Sequence, residues 1–99
     1  VEVINKLQEK YVLQTDKGSV VSPNPFNTEL KITFREIPER LSVEVFDISG
    51  KMLLETNYSN YISRTLVLDN MENFGNGIYF IRLDTQGGSF IHKVIKIDN

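Results

Sequence analysis

The sequence has no cysteine and no tryptophan, a single histidine and only three prolines. Without thiols there are no disulfides, no zinc–thiolate centre and no thiol nucleophile. The one histidine, His92, leaves no second imidazole for a zinc site, and a Ser–His–Asp triad would need a third group to orient it. No apolar run approaches the roughly 18 residues that cross a bilayer as a helix. Neither sign of charge dominates. The net charge is −2, so no basic field points to nucleic acid or anionic lipid. A phosphate loop, a metal set and a nucleophile–base constellation are all missing, which argues against an enzyme and against a cofactor. The chain starts at Val1 without Met, signal h-region or transit pattern, so the expectation is a piece of a longer protein.

What is present suits one folded domain. Ninety-nine residues, with 40% apolar and 24% charged side chains, are an ordinary globular composition. A chain of this size buries roughly 60–65% of its unfolded surface, enough for one core without staples. The clearest element is Leu41 to Leu54. Leu41, Val43 and Val45 alternate with Ser42, Glu44 and Phe46, the period of a strand with one buried face. Asp47 follows at the first position of a turn, where its carboxylate can accept backbone N–H groups two residues on. Gly50 stands where a type I turn needs positive φ and a bulge. Lys51 and then Met52, Leu53 and Leu54 carry the chain back, completing a β-hairpin.

The remaining segments follow the same logic. Val1, Ile4, Leu7 and Tyr11 have the spacing of a short amphipathic helix, while Tyr11 to Leu13 suits a strand equally. Residues 1–18 are read as a linker or irregular first strand. Val20 to Ser22 is a short strand running into Pro23-Asn24-Pro25-Phe26. Neither proline can donate to a ladder, so this segment must leave the sheet or lie on its edge, with Phe26 anchoring it to the core. Leu30, Ile32 and Phe34 mark a half-exposed strand that Pro38 ends. Asn57 to Ser63 reads as a polar loop carrying Tyr58 and Tyr61. Leu66 and Leu68 mark another strand. Asp69 to Gly77 is a turn-rich connection, with Met71 or Phe74 plugging the core. Ile78 to Leu83 reads as a central strand. After the turn at Gln86-Gly87-Gly88, Ser89 to Ile97 is the last strand. There Ile91, Ile95 and Ile97 form the apolar face, His92 and Lys96 the other, and Lys93 marks an edge. Short strands at this spacing give an all-β antiparallel sandwich of about seven strands, immunoglobulin-like in architecture but without the Cys and Trp hallmarks.

Four pieces taken in order resemble a known pattern. They are Val20-Val21-Ser22-Pro23-Asn24-Pro25-Phe26, Val45-Phe46-Asp47-Ile48-Ser49-Gly50-Lys51, Gly77-Ile78-Tyr79, and Gly88 followed by Lys93-Val94-Ile95. Together they resemble the C-terminal sorting domain, type A, of cargo proteins of the type IX (Por) secretion system of Gram-negative bacteria. The match runs from about Ser19 to Asn99. Asn76 departs from it, since the family often has Pro before this glycine. The resemblance implies a secretion signal rather than a catalyst. A cargo fused N-terminally would cross the inner membrane by its own signal. The folded domain would be read in the periplasm by the translocon and an outer-membrane shuttle protein. A sortase-like protease would remove it upstream of Pro23, within residues 1–18, and the cargo would be secreted or attached to surface lipopolysaccharide. The sorting-motif residues implied are Pro23, Asn24, Pro25, Phe26, Asp47, Gly50, Lys51, Gly77, Tyr79, Gly88, Lys93, Val94, Ile95 and Lys96. On this reading the last strand, with Lys93 and Lys96 as exposed edge charges, is open to strand addition by a partner.

Bland readings stand beside these. Asp47, Gly50 and Lys51 are accounted for by turn chemistry alone. Asp69, Asn70, Glu72 and Asn73 offer oxygen ligands but lack the spacing of an EF-hand. Asn57-Tyr58-Ser59 is a glycosylation-type triplet that arises readily by chance. The rival function is a carbohydrate-binding module of a secreted hydrolase that stacks a sugar on Tyr58 and Tyr61, or a spacer with no partner.

Overall fold

Side-chain alternation divides almost every segment into one face for the core and one for solvent. A computed structural model describes residues 18–98. Its strands are β1 (Ser19–Ser22), β2 (Leu30–Phe34), β3 (Arg40–Asp47), β4 (Met52–Ser59), β5 (Thr65–Leu68), β6 (Gly77–Thr85) and β7 (Gly88–Lys96). They form two antiparallel sheets, a three-stranded one of order β1-β2-β5 and a four-stranded one of order β4-β3-β6-β7. The readings made of Val1 to Lys17 lie outside the described residues.

The core lies between the sheets. Leu30, Ile32 and Phe34 of β2 and Leu66 and Leu68 of β5 face Leu41, Val43 and Val45 of β3 and Tyr79, Ile81 and Leu83 of β6. Each buried aliphatic or aromatic side chain of this kind contributes roughly 1.5–3 kcal/mol. Met71 closes one end of the core and is fully buried, while Phe74 packs partly buried beside it. The four-stranded sheet is also apolar on part of its outer face. Phe46 and Phe80 sit directly opposite one another and pack with Ile78 and Ile91. Next to them a charged row crosses the sheet. Glu55, Glu44 and Arg82 are cross-strand neighbours, and Arg82 pairs with Glu44 at 3.2 Å and with Asp84 at 3.1 Å. Arg82 thus offsets the repulsion between two facing glutamates.

Two expectations need correction. The segment Asn57 to Ser59 is not loop but the end of β4, paired with Ser42, Leu41 and Arg40. Tyr58 packs against the core from this strand, and that burial outweighs the polar composition. The face of β7 is also reversed. Register with β6 places Val94 opposite Tyr79 and His92 opposite Ile81, so Val94 and Lys96 point inward and both are fully buried. Ile95 and Ile97 point outward, 37% and 45% exposed. Either alternate set of β7 contains apolar residues, so the period alone does not choose the face. The outer apolar cluster gives the isoleucine set somewhere to lie.

Candidate recognition surface

The chain between β1 and β2 lies along the free edge of β7. Pro23 and Pro25 have no N–H, so this stretch cannot build a regular ladder. Asn24 takes over with its side chain: its Nδ2 donates to Lys93 O at 3.1 Å and its Oδ1 accepts from Ile95 N at 2.9 Å. Phe26 then makes a short parallel bridge to Lys96. Phe26 N donates to Ile95 O at 2.8 Å, and Ile97 N donates to Phe26 O at 2.9 Å. The Phe26 ring is 1% exposed and belongs to the core. The segment is therefore a strap, pinned by one buried ring and holding four backbone groups of the terminal strand. The Ser22–Pro23 and Asn24–Pro25 bonds are both cis.

The strap overturns one expectation directly. The edge of β7 from Lys93 to Ile97 is occupied by this chain itself, so it is not open to strand addition there. Lys96 is likewise not an exposed edge charge. Its side chain is buried and its ammonium pairs with the carboxylate of Asp98, which answers the need of a buried charge for a partner. Asp98 N in turn donates to Asn76 Oδ1 at 2.8 Å. Asn76 is the position that departs from the expected proline, and here its side chain ties the loop before β6 to the chain's end.

The hairpin turn follows its sequence reading closely. Asp47 Oδ1 accepts from Ser49 N at 2.9 Å, Ser49 Oγ at 2.6 Å and Lys51 N at 3.0 Å. Gly50 has φ 90°, where a side chain is strained. The Ser49 hydroxyl is the main influence holding the Asp47 carboxyl below its ordinary pKa; slight desolvation opposes it, and the Lys51 and Ser49 amides and the Lys51 charge assist. Gly77 opens β6 at φ 149°, opposite Lys96. Two residues on, the buried Tyr79 donates its hydroxyl to Gly75 O at 2.6 Å and stacks on Phe74 at 5.5 Å. Gly88 starts β7 opposite Thr85.

The profile of the secretion system C-terminal sorting domain matches residues 20–97. The chain belongs to that family. It is a Por secretion system sorting domain over most of its length, and a domain of this family is a sorting signal, not a catalyst. Among solved structures, it is similar to a DUF3244 family protein from Bacteroides vulgatus with an immunoglobulin-like β-sandwich fold. That likeness has a TM-score of 0.67 and 11% identity, over 88% of this chain and 89% of the other. It is also similar to part of dimeric latent PorU from Porphyromonas gingivalis, with a TM-score of 0.56 and 19% identity, over 83% of this chain and 9% of that one. At these identities both likenesses speak for the fold alone. No curated protein matches the chain.

Within the sorting domain, the expected motif residues differ in exposure, with Asp47, Gly50, Gly77 and Gly88 half-buried. Pro23, Asn24, Pro25, Lys51, Lys93 and Ile95 are exposed, whereas Phe26, Tyr79, Val94 and Lys96 are buried. The structure joins the first motif piece to the last through the strap, while the Asp47–Lys51 turn is held by its own bonds. Several contacts were not foreseen. Ser19 Oγ and His92 Nε2 lie 2.8 Å apart and tie β1 to β7 across the two sheets. Gln86 Oε1 accepts from Glu39 N at 3.0 Å. One signal for the strap was available: between two prolines, the Asn24 side chain is the evident hydrogen-bonding group.

The two tyrosines of the sugar-stacking reading pack against each other. Tyr58 and Tyr61 meet edge to face, 5.0 Å apart at 62°, so they form no flat stacking platform. The Tyr61 hydroxyl is engaged with Thr65 O at 2.6 Å, and burial, with a smaller contribution from Tyr58, pushes its pKa up. Among the described residues no three His, Cys, Asp or Glu side chains converge.

Proposed function

We propose that this sorting domain is the C-terminal signal that takes a cargo protein across the outer membrane through the type IX secretion system. The family match over residues 20–97 is the observation that carries the reading. The cargo is fused N-terminally and crosses the inner membrane by its own signal. The folded domain is then read in the periplasm by the translocon and an outer-membrane shuttle protein. A sortase-like protease cuts upstream of Pro23, within residues 1–18, and the cargo is released or joined to an anionic lipopolysaccharide on the cell surface.

The division of the motif residues supports a recognition role without chemistry. The exposed set, Pro23, Asn24, Pro25, Lys51, Lys93 and Ile95, is what a partner can touch. Phe26, Asp47, Gly50, Gly77, Tyr79, Gly88, Val94 and Lys96 shape that surface from within the turns and core.

An export assay tests this. Residues 1–99 are fused behind a neutral reporter carrying an inner-membrane signal peptide, in a host with a working type IX system. Deleting Lys93 to Asn99 would remove buried Val94 and Lys96, so it would test the fold as well as the signal. Lys93→Glu with Ile95→Glu changes two exposed side chains and keeps the core. The expected result is reporter on the surface or in the medium for the wild type, and in the periplasm for the double variant. A folded wild-type fusion that stays in the periplasm would overturn the reading.

A further inference from the structure

We propose that the Asn24–Phe26 strap is a built-in edge guard, which closes the terminal strand to addition of a second copy of this chain. The register of the terminal strand decides this. The backbone groups of β7 held by the strap are Lys93 O, Ile95 N, Ile95 O and Ile97 N. Because the N–H and C=O of Ile95 both point away from β6, Ile95 can form the closely bonded type of antiparallel pair, in which two residues exchange both bonds. A second copy entering antiparallel about a two-fold axis at Ile95 would place Ile95 opposite Ile95. Ile97 N–H of each copy would then donate to Lys93 O of the other. This pairing uses all four groups that the strap occupies.

The side chains favour the same pairing. Lys93 and Ile95 on the outer face of β7, and Ile97 just past its end, are all exposed. In this register Ile95 packs on Ile95, and the Lys93 stem crosses Ile97, with no like charges opposed. The segment Phe90 to Ile95 is rich in β-branched and aromatic residues, the composition that pairs edge to edge. The opposite edge of the sheet is protected differently. On β4 the exposed Glu55 sits in mid-strand, and a two-fold pairing centred there would oppose two carboxylates. The sorting domain thus guards one edge with charge and the other with a strap.

The strap has a weak point suited to a test. Phe26 is buried, but the Asn24 side chain is exposed and makes its two bonds without supporting the core. In the full chain, wild type should sediment as a monomer from micromolar to millimolar concentration. Asn24→Ala frees Lys93 O and Ile95 N but leaves Ile95 O and Ile97 N on Phe26. It should therefore fold, stay monomeric and exchange its Ile95 amide at least about fivefold faster. Asn24→Ala with Phe26→Ala, which releases the whole strap, should form a dimer as concentration rises. Adding Ile95→Lys to the double variant should restore the monomer by opposing two ammonium groups. If that double variant does not fold, Asn24→Ala with Phe26→Leu loosens the ring anchor at less cost to the core and is judged by the same outcomes. A wild type that already dimerises through β7 overturns the proposal. So does a folded double variant that stays monomeric throughout, or a dimer that Ile95→Lys does not disperse. None of these outcomes depends on export, so failure here is distinct from failure of the secretion reading.

Discussion

The hairpin turn at Asp47 and the strap at Asn24 each use one short polar side chain to hold backbone groups. They differ in reach. Asp47 binds the amides of Ser49 and Lys51, two and four residues on. Asn24 binds Lys93 and Ile95, 69 and 71 residues away. The turn stabilises a hairpin whose strands would be neighbours in sequence anyway. The strap joins the start of the domain to its last strand. One is local chemistry, and the other fixes the long-range architecture and what the terminal strand can pair with.

Substitutions separate the two devices. The largest effect is expected from Phe26→Ala, which leaves a cavity at a fully buried ring and frees the strap, costing about 3–5 kcal/mol in a urea melt. Asn24→Ala loses two exposed hydrogen bonds and should cost about 1–2 kcal/mol. Gly50→Ala forces a side chain to positive φ and should cost about 1 kcal/mol, read from the same melts. If Gly50→Ala proved more damaging than Phe26→Ala, the turn rather than the strap would be holding the domain together.

The smallest expected effect is a dependence on pH. The folded pKa of Asp47 is lowered, so its stabilisation is complete above the unfolded value of about 4 and is lost as pH falls through the lowered pKa. The urea midpoint of wild type should exceed that of Asp47→Asn near neutral pH, and the gap should close in acid. Asn24 carries no titrating group, so the gap between wild type and Asn24→Ala should not show that acid step. An equal narrowing in both pairs would contradict the assignment to Asp47.

The same contrast explains what could be read from the sequence. The Asp47–Lys51 turn, the core faces of β2, β3 and β5, the central place of β6 and the sandwich itself were legible because local periodicity and turn chemistry specify them. The role of Phe26 as an anchor was legible too, since two flanking prolines send the chain off the sheet with an aromatic to bury. The occupant of the β7 edge was not, because the bonds of Asn24 close over 69 and 71 residues and no local rule contains them. The face of β7 was misread because both of its alternate sets carry apolar residues. Lys96 was misread because its burial depends on Asp98, two residues beyond it on the same chain end. Of the expected motif residues, sequence order showed the family pattern, but only the fold separated the exposed side chains from the buried ones.

The most direct measurement is amide hydrogen exchange at Ile95 and Ile97 in the wild-type chain. Both amides face away from β6, so only the strap can protect them within this sheet edge. The account predicts that both exchange much more slowly than an unstructured peptide, and that Asn24→Ala speeds Ile95 more than Ile97, which Phe26 still holds. Exchange of Ile95 and Ile97 at the unstructured rate in the folded wild type would contradict it, because the terminal edge would then be open.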